Sequence, residues 1–392
     1  MPGLLSALKL AYNPFEPAAT GPPLSGAPLF VPDSTKRRAH TIIQTLQSGA
    51  GVKALVVAGE YGSGKSCLLQ WLNSEVFPEK HIRSFYFDNP GVQFYDLANR
   101  LLRTIGRKDF AKFIWELAGS HSTGYQPSLF HGGYERYLNA WSRRRGSTQV
   151  IAPLQDGIIE AGVTTDEQIA HCLARIVTDV IKQPYFEYRD FVPRQKGSVV
   201  PEGEEAAYFR AILKTIEAGM NARGTAFVID EFEEIGLQKR LTKRAAYDYL
   251  TTLKRLVNLT HDEGVDFWLV LSMTPDAYDM TNSLDPALVE RMSGNKLDVL
   301  PLSWPEARDL LLSRLKAARE SDSGFSESSL FPFPDAVAFR SSTFSNPRKL
   351  VKVCFRAVAQ ADASTSLPFD ELYLRKVEDE LYPLEDRGQD EA

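Results

Sequence analysis

The sequence predicts an α/β fold: a doubly wound parallel sheet buried on both faces, with a helical insertion and a helical C-terminal subdomain. Short, continuous apolar runs at Ala54–Ala58, Ala226–Ile229 and Phe267–Leu271 suit strands covered on both sides. Stretches of helical periodicity separate them, and from Trp304 onward only helices are legible. At 392 residues the chain has room for two or three domains.

Taken in order, residues 1–35 are rich in Pro, Gly and Ala and are expected to run as an extended arm over the surface. Residues 36–107 form the first part of the core. Arg37–Gln47 places Ile42, Ile43 and Leu46 on one helical face; Ala54–Ala58 is a strand; Cys67–Leu72 opens a helix. Ile82–Asp88 alternates as a second strand, and Phe94–Ile105 reads as a helix. Residues 108–200 loosen into aromatic helical pieces (Phe110–Leu117, Tyr134–Trp141, Gln168–Ile181) joined by polar Gly/Ser connectors, and are expected to be an insertion. Residues 201–303 return to the core with a helix over Ala206–Ala218 and the two later strands. Residues 304–392 carry helices at Pro305–Arg319, Pro347–Ala361 and Phe369–Leu381.

Between the first strand and its helix lies Gly59-Glu60-Tyr61-Gly62-Ser63-Gly64-Lys65-Ser66, a complete G-x-x-x-x-G-K-S. A strand feeding a glycine turn at a helix start gathers backbone N–H groups at one point. The backbone of residues 59–64 is expected to wrap a polyphosphate, with Lys65 on the β/γ phosphates and the Ser66 hydroxyl on Mg²⁺. Cys67 completes the set of nucleotide contacts. The expected ligand is therefore a nucleoside triphosphate with Mg²⁺. Asp230-Glu231 follows the second buried run, placing two acids at a strand's carboxyl end. Asp230 would hold Mg²⁺ through water, and Glu231 would orient and polarise the water that attacks the γ-phosphate. On the neighbouring strand, Ser272 or Thr274 could touch that phosphate, with Thr274 favoured.

The order of phosphate loop, acidic strand, polar strand end and helical lid resembles the AAA+ ATPases. Asn13-Pro14-Phe15 and Thr274-Pro275-Asp276 look similar to the initiator-type and transposon-regulator clade, and to ATPases of BREX-type phage-defence systems. That resemblance covers residues 10–100 and 220–360. It implies that Leu284–Arg291 carries an arginine finger, Arg291, acting in a neighbouring subunit of a homo-oligomer. It also implies that Arg348, in Ser345-Asn346-Pro347-Arg348-Lys349-Leu350, contacts the γ-phosphate of its own subunit. The insertion is not part of the common core, and no winged helix follows the lid, which argues against origin-type DNA recognition.

Asn295-Lys296-Leu297-Asp298 matches the guanine-reading N-K-x-D but follows no buried strand, so ATP is expected rather than GTP. A formal net charge of -5 does not suggest a protein coated for nucleic acid. Any nucleic-acid contact would use local basic groups: Lys239-Arg240 with Lys243-Arg244, Arg143–Arg145, or Arg103, Arg107 and Lys108. Trp115, Tyr125, Phe130, Tyr134, Tyr137 and Trp141 are expected to form a small core rather than a base-stacking surface. Three scattered cysteines argue against disulfides and zinc knuckles and fit a cytoplasmic protein; no run is long enough to span a membrane. The expected function is an ATPase that drives assembly or switching in a DNA-linked mobile-element or anti-phage complex, with a protein partner engaged through the insertion. The alternative is a slow nucleotide-dependent scaffold or signalling switch that recruits an effector without acting on DNA.

Overall fold

The structure is a computed structural model that describes residues 5, 8–15, 29–48, 53–121, 133–138, 148–191, 198–235, 242–262, 265–293, 295–319, 324–335, 337–362 and 365–383. Two compact units emerge. Residues 1–41, 58–71 and 298–392 form one unit, labelled the lid unit only after the sequence expectation for 304–392, and residues 42–57 and 72–297 form a second, the sheet unit.

The protein is an α/β molecule with a five-stranded, all-parallel sheet. Its strands are β1 (Lys53–Ala58), β2 (Ile82–Phe87), β3 (Gly224–Ile229), β4 (Phe267–Met273) and β5 (Lys296–Asp298), in the order β2-β3-β4-β1-β5. Register runs from Ile82↔Gly224 to Phe87↔Ile229, and from Thr225↔Phe267 to Ile229↔Leu271. Every residue of β3 and β4 is buried, as their unbroken apolar composition requires of interior strands. The outer strand β2 is different: Ile82, Phe85 and Phe87 are buried while Arg83 is exposed.

Helix α1 (Asp33–Ser48) precedes β1 in the chain and α2 (Lys65–Trp71) follows it, and α3 (Tyr95–Ile105) packs on β2. The predicted insertion supplies α4 (Arg107–His121), α5 (Thr148–Glu160) and α6 (Glu167–Asp179), which pack on one another. Helix α7 (Glu205–Gly219) joins them to β3, so these helices share the core of the sheet unit. Trp115 stacks on Tyr137 at 4.3 Å between ring centroids, and Tyr134 is buried beside them, as the small-core reading expected. Tyr125, Phe130 and Trp141 lie outside the described residues. The unit is completed by α8 (Lys243–Asp262), α9 (Pro275–Leu284) and α10 (Pro286–Ser293).

In the lid unit, α11 (Trp304–Ala318), α12 (Pro347–Gln360) and α13 (Glu371–Leu381) enclose a core of Leu311, Leu315, Leu350, Val353, Cys354 and Leu374. Helix α11 opens with a capping box, Ser303 with Glu306, and a proline in its first turn. The N-terminal residues correct the expectation of a surface arm. Leu8, Leu10 and Phe15 are buried in this core, and the Ala11 N–H donates to the Ala318 carbonyl at 2.8 Å. Asn13 Nδ2 donates to the Phe355 carbonyl at 3.1 Å, and Phe15 meets Phe333 edge-on at 5.3 Å. Burying these three side chains removes enough apolar surface from water, at about 25 cal/mol per Å², to outweigh the loop-like composition around them.

One carboxyl of the sheet unit is held in an unfavourable place. Burial, with Asp266 adding repulsion, pushes Glu217 up to about 8, against the pull of Lys214 and Lys53. Its Oε1 is buried without a hydrogen-bond partner. A carboxyl raised in the folded state stabilises below its unfolded pKa and loses that contribution as pH rises through the folded value. Glu217→Gln is therefore expected to leave stability nearly unchanged at pH 4. At pH 9 it should add on the order of 2 kcal/mol, read by denaturant melts at the two pH values.

Candidate active site

In the lid unit, β1 ends at Ala58 and the chain turns through residues 59–64 into α2. Gly62 and Gly64 take φ of +80° and +101°, the left-handed region open to glycine. A Cβ on Gly62 would come within 2.9 Å of both Arg348 Cβ and Asn346 Oδ1. Lys65 is buried, and its Nζ donates back to the carbonyls of Gly59 at 2.8 Å and Glu60 at 3.2 Å. The Ser63 hydroxyl, buried in the same turn, has no hydrogen-bond partner. Ser66 and Cys67 are half-buried on α2.

The start of α12 sits on this loop. Asn346 caps the helix, its Oδ1 accepting from the N–H of Arg348 at 3.0 Å and of Lys349 at 3.1 Å. Its Nδ2 donates to the Tyr61 carbonyl at 3.0 Å. The Arg348 guanidinium lies over the Tyr61 ring, 4.6 Å from its centroid. Arg348 and residues 59–66, predicted from two distant stretches of sequence, thus meet in one unit. Arg314 on α11, absent from the sequence reading, has Nε and Nη1 buried without partners, and burial lowers its pKa.

In the sheet unit, Asp230 leaves the end of β3 and is buried. Its Oδ2 accepts from the Tyr86 hydroxyl at 2.7 Å, and its Oδ1 accepts from the Ser272 hydroxyl and from the Glu231 N–H at 2.9 Å. Glu231 takes a φ of +48°, uncommon for a residue with a side chain and characteristic of strained functional turns. Burial chiefly raises the pKa of its carboxyl, with Asp230, Glu234, Glu233 and Asp88 adding repulsion. Of the two hydroxyl residues considered on β4, Ser272 touches the acids, its Oγ also accepting from the Glu231 N–H at 3.2 Å. Thr274, the favoured one, instead caps α9, its Oγ1 accepting from the Ala277 N–H at 3.3 Å. Sequence reasoning missed Tyr86, although its position on β2, level with Val228 in register, carries the signal.

Arg291 is exposed on α10 and hydrogen-bonds the Asn258 side chain. The expected basic stripes are reduced: Arg107 is buried 3.5 Å from Asp190, and Lys108 pairs with Glu135 at 3.1 Å. Arg143–Arg145 and Lys239-Arg240 lie outside the described residues. Lys296-Leu297-Asp298 is strand β5 itself, with the Lys296 ammonium 4.9 Å from the Tyr278 ring centroid. No helix among the described residues is long and apolar enough to cross a membrane. No protein-family model and no curated protein matches the sequence.

Two substitutions separate these contacts. Gly62→Ala is expected to lower stability by roughly 1–3 kcal/mol through backbone strain and the clash with Arg348, read by denaturant unfolding. Thr274→Ala should cost about 1 kcal/mol through the lost cap, and Thr274→Ser should restore most of it, since either hydroxyl serves.

Proposed function

We propose that the chain is a P-loop ATPase of the AAA+ type, which binds Mg²⁺ and ATP and uses hydrolysis to switch conformation. The observation that carries this reading is the loop at 59–66. Its two left-handed glycines, its buried orphan Ser63 hydroxyl and its lysine folded onto its own carbonyls make a cradle of donors whose partners a polyphosphate would supply. Lys65 exchanges the Gly59 and Glu60 carbonyls for the β and γ phosphates, a stronger charge-assisted bond. Arg348, its guanidinium over the Tyr61 ring of the same loop, would supply positive charge to the γ-phosphate.

Ser66 and Asp230 would hold the metal. Among the described residues no cluster of three His, Cys, Asp or Glu side chains could hold an ion. A hydroxyl, with a carboxylate acting through water, nevertheless suits magnesium, which keeps several waters and phosphate oxygens. When bound, Mg²⁺ neutralises charge on the β and γ phosphates. Glu231 orients the attacking water and takes its proton. Its raised pKa makes it a stronger base than an ordinary glutamate, and Asp230, pinned by Tyr86 and Ser272, fixes where that base stands. Arg291 completes a neighbour's site in a homo-oligomer.

Which partner the switch serves is weighted by the basic groups. Arg107 is buried beside Asp190 while Arg103, Lys243 and Arg244 stay exposed, so the weighting toward the slow switch that recruits a protein is slight. A steeply salt-dependent stimulation of turnover by DNA would reverse that weighting.

Retention of a fluorescent ATP analogue with Mg²⁺ tests the reading. Wild-type protein should bind, and Lys65→Ala should lose binding. Glu231→Gln should bind normally while turnover falls by roughly 10²–10⁴-fold. Equal retention by Lys65→Ala, or full turnover by Glu231→Gln, would overturn it. Because the base must be ionised, activity should rise with pH along an acid limb above the ordinary glutamate range. Gel filtration of Glu231→Gln with ATP should show an oligomer that Arg291→Ala leaves assembled but, in an otherwise wild-type chain, slow to hydrolyse.

A further inference from the structure

A cavity of about 440 Å³ runs between the outer strand β2 and helix α3, lined by Arg83, Ser84, Tyr86, Asn99, Arg103 and neighbouring residues. Three features of it point to one kind of occupant. The first is backbone. The carbonyls of His81 and Phe87 accept from Arg223 and Asp230 on the β3 side. Strand alternation then turns the N–H and C=O groups of Ile82, Ser84 and Tyr86 away from β3, toward the outer edge.

The second is an orphan. Asn99 is 9% exposed, and its Oδ1 has no hydrogen-bond partner although it lines the cavity. A buried amide oxygen left unpaired costs about 1–3 kcal/mol, and because this one is sealed from solvent an occupant's donor reaches it only when the Asn99 side chain turns into the cavity. The third is charge. Arg83 and Arg103 are exposed at the rim, whereas Arg100 is held by Asp88 at 3.3 Å and by the Asn89 carbonyl at 2.5 Å.

We infer that this groove docks an extended acidic segment of a partner protein, which adds to the outer edge of β2 as a further strand and sets its carboxylates against Arg83 and Arg103. A single-stranded nucleic acid would satisfy the arginines. Its phosphodiester backbone has no donor for the outward carbonyls, which a peptide's N–H groups supply. The docking does not depend on the nucleotide reading. Only its consequence does: Tyr86 lines the groove and its hydroxyl donates to Asp230, so an added strand would act directly on the support of that acid.

The test uses the full chain without nucleotide and a fluorescein-labelled peptide of four Val-Glu repeats, read by anisotropy. Controls are the matching Val-Lys peptide and an oligothymidylate. The Val-Glu peptide should bind, with affinity falling by roughly 10-fold or more in the Arg83→Glu/Arg103→Glu double variant. Ser84→Pro removes one outward N–H without touching the β2–β3 ladder and should abolish binding, whereas Ser84→Ala, which loses only the hydroxyl bond to the Asn73 carbonyl at 2.9 Å, should bind as wild type does. Should the proline variant misfold by circular dichroism, the exposed arginine pair decides alone. The proposal falls if the Val-Glu peptide fails to bind, if the Val-Lys peptide binds equally, if oligothymidylate binds in its place, or if the double variant binds as wild type does.

Discussion

The buried carboxylate of Asp230 is the constraint around which the sheet unit is organised. A carboxyl group this enclosed must have its oxygens hydrogen-bonded, and three segments converge to do so: β2 through Tyr86, β4 through Ser272, and the chain's own next N–H at Glu231. Meeting that demand forces the backbone at Glu231 into the left-handed region, a conformation worth about 1–3 kcal/mol of strain. The strain and the repulsion among neighbouring acids fall on the residue whose carboxyl is raised.

The lid unit solves a parallel problem with a different residue. Asn346 uses its oxygen to start α12 and its nitrogen to hold the Tyr61 carbonyl. One amide thereby ties the start of a helix to the glycine turn at 59–64. A carboxylate in its place would keep the cap and lose the tie, because it accepts at both oxygens and donates at neither.

Much of this was legible in the residues. The buried strands β1, β3 and β4 announced themselves as short apolar runs, and β2 by alternation, because burial on one or two faces leaves a periodic trace. The glycines of the loop were legible because so few backbones need φ above zero at that spacing. Strand β5 was not, since three residues are too few to show a period and Lys296-Leu297-Asp298 offers only one apolar side chain. Thr274 drew attention as a polar strand end, but a threonine before a proline is equally a helix cap, and the pattern cannot separate the two. The N-terminal residues misled for a compositional reason: Leu8, Leu10 and Phe15 are diluted by Pro, Gly and Ala, and only their partners near residues 318–355 reveal them as core.

That last pairing bears on how the molecule is made. Leu10 bridges to Arg319, so the earliest described segment finds its permanent neighbours only after about three hundred further residues have left the ribosome. The sheet unit, drawn from residues 42–57 and 72–297, has all its contacts available sooner. Synthesis accordingly delivers a nearly complete sheet while the glycine loop at 59–66 still lacks Asn346 and Arg348. Maturation of the loop is a late event, deferred until the final helices arrive to receive both it and the waiting N-terminal segment.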